Sequence, residues 1–93
     1  MNHGYTRLAH DDLATLFEFI AKDDPLAAQK VSHAIHVGID RLIKFPSYGR
    51  AGDVKGTRQF AVAGIPYIVV YEIEEETITI LRVYHTARGR PGS

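Results

Sequence analysis

The stretch that decides the fold is "IPYIVVYEIEEETITILRVYH", residues 65–85. Two runs rich in β-branched and aromatic residues flank "EEE" at 74–76, the pattern of two strands around a tight turn. The first run, 65–73, is apolar on both faces and predicts a central strand. Pro66 cannot donate to a ladder, so it belongs at the very start of that strand. Tyr67 and Tyr71 share one face with Val69 and Ile73, which predicts sheet packing for both rings. The second run, 77–85, returns antiparallel to the first. Strict alternation puts Ile78, Ile80, Arg82 and Tyr84 on one side, and Thr79, Leu81, Val83 and His85 on the other. Arg82 and His85 then share a face only if the strand ends or bulges near Tyr84.

Upstream, "RQFAVAG" (58–64) reads as a further strand, and "PSYGRAGDVKGT" (46–57), with three glycines, as a loop. Before it the period changes to helical. Ala28, Val31, Ile35, Ile39 and Leu42 form one stripe of a helix running from Pro25 to about Phe45. Asp24 suits its N-cap, and Pro25 suits the first helical position, where a missing N–H costs nothing. Gly38 lies in the same stripe. A mid-helix glycine costs roughly 1 kcal/mol relative to alanine, so its place there predicts close approach of the preceding helix. That helix is "HDDLATLFEFIAKDD" (10–24), with Leu13, Leu16, Phe17 and Ile20 in one stripe. Asp11 and Asp12 are expected in its first turn, at the positive end of the dipole. "GYTRL" (4–8) reads as a short strand. The order β-α-α-β-β-β predicts an α+β domain: an N-terminal helical hairpin packed on one face of a small, mainly antiparallel sheet.

The 93 residues allow one domain, 1–93, with a thin core. A stable partner would supply part of the missing burial. Cysteine is absent, which excludes a disulfide framework and thiolate zinc sites. The start of the chain lacks a signal-peptide profile, and no apolar run approaches the roughly 20 residues of a membrane span. A cytoplasmic protein with no membrane partner is expected. Net charge is zero, which argues against a broad nucleic-acid surface. The distribution is uneven. Residues 41–58 hold five cations against Asp53 alone, and residues 82–93 hold Arg82, Arg88 and Arg90 with no acid. His33 and His36 are spaced i, i+3, yet two surface imidazoles with no third ligand make a poor metal site. No metal and no small-molecule cofactor is expected. Residues 86–93, "TARGRPGS", read as a mobile basic tail.

Taken in order, these pieces resemble the RelE/ParE superfamily of toxins from bacterial type II toxin–antitoxin systems. "LAHDDLATLFEFIAKDDPLAAQKV" is similar to the family's first helix, link and second helix. "LIKFPSYGR" is similar to its Pro-x-x-Gly-Arg loop. "GTRQFAVAGIPYIVVYEIEEETITILRVYHTAR" is similar to the segment in which an arginine begins a strand, Pro-Tyr opens the next, and Val-x-His-x-x-Arg closes the sheet. The wording looks closer to the ParE side than to the RelE side.

The resemblance implies a toxin neutralised by a cognate antitoxin, with two targets in view. ParE-like members inhibit DNA gyrase, and the resemblance to them also implies a part in plasmid stabilisation. On that reading Tyr84, Arg88 and Arg90 bind the target. RelE-like members cleave mRNA on the ribosome. On that reading His85, or its neighbour Tyr84, moves protons while Arg58 and Arg82 hold the phosphate, because imidazole titrates near neutrality and guanidinium binds two oxygens. A third reading is a weak or decayed toxin that only binds its antitoxin. Phe19 lies off the main stripe of its helix and is the expected aromatic anchor for the antitoxin.

Overall fold

The computed structural model describes residues 2–87. Its centre is the expected hairpin, β4 (Tyr67–Glu74) and β5 (Thr77–His85), which turns through Glu75 at φ 55°. β3 (Arg58–Ala61) pairs antiparallel with β4, from Arg58 opposite Tyr71 to Ala61 opposite Ile68. A short strand, β2 (Arg50–Ala51), lies inside the segment expected to be loop, with Arg50 opposite Gln59 and Ala51 opposite Arg58. β1 (Asn2–Tyr5) pairs parallel with β5. The five-stranded sheet therefore runs β1-β5-β4-β3-β2, mixed but mainly antiparallel.

Helices α1 (Arg7–Asp23) and α2 (Pro25–Lys44) are separated by Asp24 alone. Asp24 serves both: its N–H donates to Ile20 O, closing α1, and its carboxylate accepts from Ala27 N–H, opening α2. α1 begins earlier than the sequence pattern suggests. Thr6 is its N-cap and Asp11 and Asp12 lie beyond the first turn. Neither helix is long and apolar enough to cross a membrane.

One sheet face meets the helices. Phe60, Tyr67, Val69, Tyr71, Ile78, Ile80 and Val83 pack there with Ala9 and Leu16 of α1 and Ile35, Ile39 and Leu42 of α2. A fully buried Leu or Ile contributes about 1.5–3 kcal/mol, so this single layer is the main source of stability. Tyr71 is fully buried, and its hydroxyl donates to Pro46 O while accepting Gly49 N–H, both at 3.0 Å. A Cβ at Gly49 would lie 2.5 Å from that hydroxyl, so glycine is required there. Gly38 also marks a close approach, but by a different neighbour from the one expected. A Cβ there would meet the Phe60 ring at 3.0 Å. β3 fills the space, and α1 does not.

The register of β4 and β5 breaks once. Val70 pairs with Arg82 and Tyr71 with Ile80, so Leu81 has no partner. This bulge resets the alternation. Val83 joins Ile78 and Ile80 on the helix-facing side, where strict parity had separated them. The bulge precedes both Arg82 and His85, so it leaves these two with opposite parity.

β1 stops at Tyr5, opposite Ile80, and the start of α1 takes over the open edge of β5. Thr6 N–H donates to Ile80 O at 3.0 Å. The Thr6 hydroxyl donates to Leu81 O at 2.8 Å while accepting Ala9 N–H at 3.0 Å. Asp12 Oδ2 accepts Val83 N–H at 3.0 Å. Removing the hydroxyl loses a helix cap and strands a carbonyl. Thr6→Val is therefore expected to cost about 1–2 kcal/mol in urea unfolding, and Thr6→Ser only a few tenths. Equal stability of Thr6→Val and the unaltered protein would contradict this role.

Candidate functional site

The same edge builds a groove. It has a volume of about 440 Å³ and runs between α1 and the C-terminal end of β5. Leu8, Asp11, Thr15 and Phe19 line it from α1, and Tyr67 and His85 from the sheet. Leu8 is 55% exposed and Phe19 60%, a large apolar presentation for a short helix. Phe19, expected as a partner anchor, thus sits on the rim of the groove.

The three residues expected around a phosphate go to different tasks. Arg82 lines the groove, but its guanidinium is clamped by Asp12. Nε donates to Oδ2 at 2.8 Å and Nη2 to Oδ1 at 2.9 Å. Such bidentate charge-assisted pairs are among the stronger polar contacts. The hydrogen bond to Asp12 pushes the Arg82 pKa up, burial opposes it, and the carboxylate's charge adds to the rise. Arg82 therefore stays charged, and its charge is answered within the molecule.

Arg58 sits at the other end of the sheet. Its Nη2 donates to Gly49 O at 2.6 Å and Ser47 O at 3.2 Å, which holds the turn before β2. Its Nε is buried without a partner among the described residues. Arg58 is opposite Tyr71, and His85 is opposite Tyr67. Four residues of strand separate those rungs, about 13 Å, and the two residues are two strands apart. One phosphate cannot touch both in this arrangement.

His85 lies half-buried at the end of β5. Its ring meets Tyr67 edge-on, 5.2 Å between centroids. Its Nδ1 accepts the Ala87 N–H at 3.0 Å, which leaves Nε2 as the donor in the neutral ring. Tyr84 is buried, 9% exposed, and opposite Ile68, so it offers little surface to a target. Arg88 and Arg90, and most of the tail expected at 86–93, lie outside the described residues. Thr86 N–H donates to Pro66 O at 2.9 Å, so the chain still follows the sheet there. His33 and His36 are exposed on α2, with His36 Nδ1 2.7 Å from Ser32 O. Among the described residues no three His, Cys, Asp or Glu side chains cluster to hold a metal.

Sequence reasoning overlooked two residues. Asp12 was assigned to a helix dipole and is the partner of Arg82. The usable signal was an arginine within an apolar strand, which calls for a carboxylate somewhere. Gln59 is a buried polar residue on β3, 5% exposed, and alternation alone gives no sign of it.

A family model described as the ParE toxin of type II toxin–antitoxin systems, parDE, matches residues 4–89. The chain belongs to this ParE family, within the RelE/ParE superfamily, and is the toxin component of a type II toxin–antitoxin system. Among its relatives is protein Y4kP of Sinorhizobium fredii, 41% identical over 73 residues, 78% of this chain and 75% of that protein. Toxin RelE2 of Caulobacter vibrioides is 30% identical over 84 residues, 90% of this chain and 93% of that one. The toxin–antitoxin complex RelBE2 from Mycobacterium tuberculosis contains a similar chain, with TM-score 0.59 and 25% identity over 90% of this chain and 88% of that one. The chromosomal ParDE system from P. aeruginosa contains another, with TM-score 0.81 over 91% of this chain and 95% of that one. At 24% identity it speaks to the fold.

The clamp predicts an asymmetric mutational response. Asp12→Ala orphans both Arg82 and Val83 N–H and is expected to cost about 2–3 kcal/mol in denaturant unfolding. Arg82→Ala leaves Asp12 on Val83 N–H and should cost less. The double variant should show a coupling of about 1 kcal/mol. The raised Arg82 pKa keeps its contribution fully present below the ordinary arginine value and loses it only in strongly alkaline solution. The Asp12→Ala penalty should therefore not shrink between neutral and mildly alkaline pH.

Proposed function

We propose that this toxin acts by binding and inhibiting DNA gyrase and is neutralised in the cytoplasm by a cognate antitoxin. The observation that carries this reading is the dispersal of the candidate catalytic groups. Metal-free RNA cleavage needs a base, an acid and cations gathered on one phosphate. Here Arg82 is held by Asp12 and Arg58 by the carbonyls of Ser47 and Gly49, while His85 accepts a backbone N–H. A binding toxin needs no such convergence. The apolar groove between Leu8, Phe19 and Tyr67 supports a protein partner there, with Phe19 as its aromatic anchor. Arg88 and Arg90, beyond the described residues, remain in this reading as cations for an acidic target surface.

A second reading is a ribosome-dependent mRNA endoribonuclease. It is favoured by the likeness to Toxin RelE2 and by the presence of Arg82 and His85 on the same groove. Expression without the antitoxin separates the two. Gyrase inhibition predicts an SOS response with DNA breaks, and loss of supercoiling by purified gyrase. Rapid arrest of translation with codon-positioned mRNA cuts would replace it with the nuclease. No growth defect would leave only an antitoxin-binding module. His85→Ala sharpens the comparison: it should change gyrase inhibition less than about threefold, whereas a nuclease relying on that imidazole loses about 10²–10⁴-fold in rate.

A further inference from the structure

Cations collect at the far edge of the sheet, across from the groove on α1. α2 ends in Arg41 and Lys44, three residues apart and so neighbours on the helix surface. Both are exposed, as are Arg50 on β2 and Lys55 in the loop that joins β2 to β3. The only acid between residues 41 and 58 is Asp53. Among the described residues none of the four cations is ion-paired with a carboxylate. Asp40 adjoins Arg41 in sequence but faces elsewhere. Burial and, second to it, the charge of Asp40 push the Tyr5 pKa up, which places this carboxylate toward β1, at the opposite edge. Arg41 and Lys44 also offset the negative end of the α2 dipole. Arg50 and Lys55 have no such use.

Aromatic rings sit among these charges. Phe45, the C-cap of α2, is 62% exposed, and Tyr48 is 44% exposed. The Arg41 guanidinium lies over the Tyr48 ring, 5.7 Å from its centroid. Tyr48 and Arg50 border a second groove, of about 340 Å³. Tyr48 thus joins the cations of α2 to those of β2 in one surface. Lysine is depleted in protein–protein interfaces. Lysine and arginine set among exposed rings suit a nucleic-acid backbone, where cations take the phosphates and rings take sugar or base. A net charge of zero is compatible with a patch this narrow.

We propose that this basic edge, Arg41, Lys44, Arg50 and Lys55, contacts the phosphate backbone of the DNA that gyrase holds, while the groove on α1 contacts gyrase itself. This rests on the reading that the toxin inhibits gyrase. β5, beside the first groove, and β2, beside the second, are three strand spacings apart, about 14 Å. A toxin seated on the enzyme by one edge therefore offers the other to the bound duplex. A ligand that touches both protein and DNA favours the DNA-bound enzyme by the ratio of its affinities for the two forms. The toxin then binds the gyrase–DNA complex in preference to free gyrase.

The test uses the full toxin, gyrase and a duplex DNA fragment that gyrase binds. The toxin should bind the gyrase–DNA complex at least about tenfold more tightly than gyrase alone. That gain should fall as salt rises, with a log–log slope of about −3, because each neutralised phosphate contributes about −0.9. In Lys44→Gln/Arg50→Gln the gain should shrink below about threefold and the slope should become shallower by about 2, while affinity for gyrase alone holds. Lys44→Arg/Arg50→Lys keeps both charges and should keep the gain. Both positions are exposed, so each variant should melt at the temperature of the unaltered toxin, which separates lost contact from lost fold. Equal affinity of the unaltered toxin for gyrase with and without DNA overturns the inference and leaves gyrase inhibition standing. A glutamine variant that loses as much affinity for gyrase alone also overturns it, by assigning the edge to the protein. A toxin that binds neither form of gyrase overturns the gyrase reading itself, and this inference with it.

Discussion

The fold depends on how the edge of β5 is finished. β5 is internal to the sheet, yet the strand beside it, β1, ends at Tyr5 and leaves the last rungs open. Unpaired backbone groups half-covered by protein are costly. The chain meets this need with side chains: the Thr6 hydroxyl on Leu81 O and the Asp12 carboxylate on Val83 N–H. The helix cap Thr6 and the helical residue Asp12 thus act as a continuation of a strand. They set where α1 begins, how it lies on the sheet and which of its faces stays outside.

The groove beside α1 follows from that geometry. Because α1 is fastened by its first turns, Leu8, Thr15 and Phe19 are left along its outer margin, beside Tyr67 and His85. The same carboxylate that fastens the helix neutralises Arg82. A surface that would carry a bare cation next to an imidazole instead presents apolar side chains around an internally balanced ion pair. Such a surface suits recognition of a protein by shape better than stabilisation of charge growing on a phosphate.

Much of this was legible in the sequence, and the limits have physical reasons. The β4–β5 hairpin, the Asp24–Pro25 joint and the apolar stripe of α2 are local signals, and they read correctly. Strand β5 matched its expected bounds, 77–85. The start of α1 did not, because "GYTRL" alternates like a strand while Thr6 is capping a helix; its partner Leu81 lies 75 residues away. The bulge at Leu81 carries no glycine or other local mark, so parity beyond it was misassigned. Gly38 announced a close neighbour, but the helical stripe pointed to α1, and Phe60 of β3 fills that place. His85 was correctly set at the end of the sheet. The separation of Arg58 and Arg82 from a common site was hidden, since their partners, the loop carbonyls and Asp12, are set by the tertiary fold.

The parallel pairing of the chain's first strand with its last also orders events in time. Residues 2–12 are held by residues 76–83, through Asn2 N–H on Glu76 O, Thr6 on Ile80 and Leu81, and Asp12 on Arg82 and Val83. During synthesis at about 5–20 residues per second, the early segment waits roughly 4–14 s for its partners to be made. Until then α1 has no sheet to lie on, and neither the clamp nor the groove exists. A chain that ends before residue 83 therefore lacks the clamp and the groove, whatever helix it has already formed.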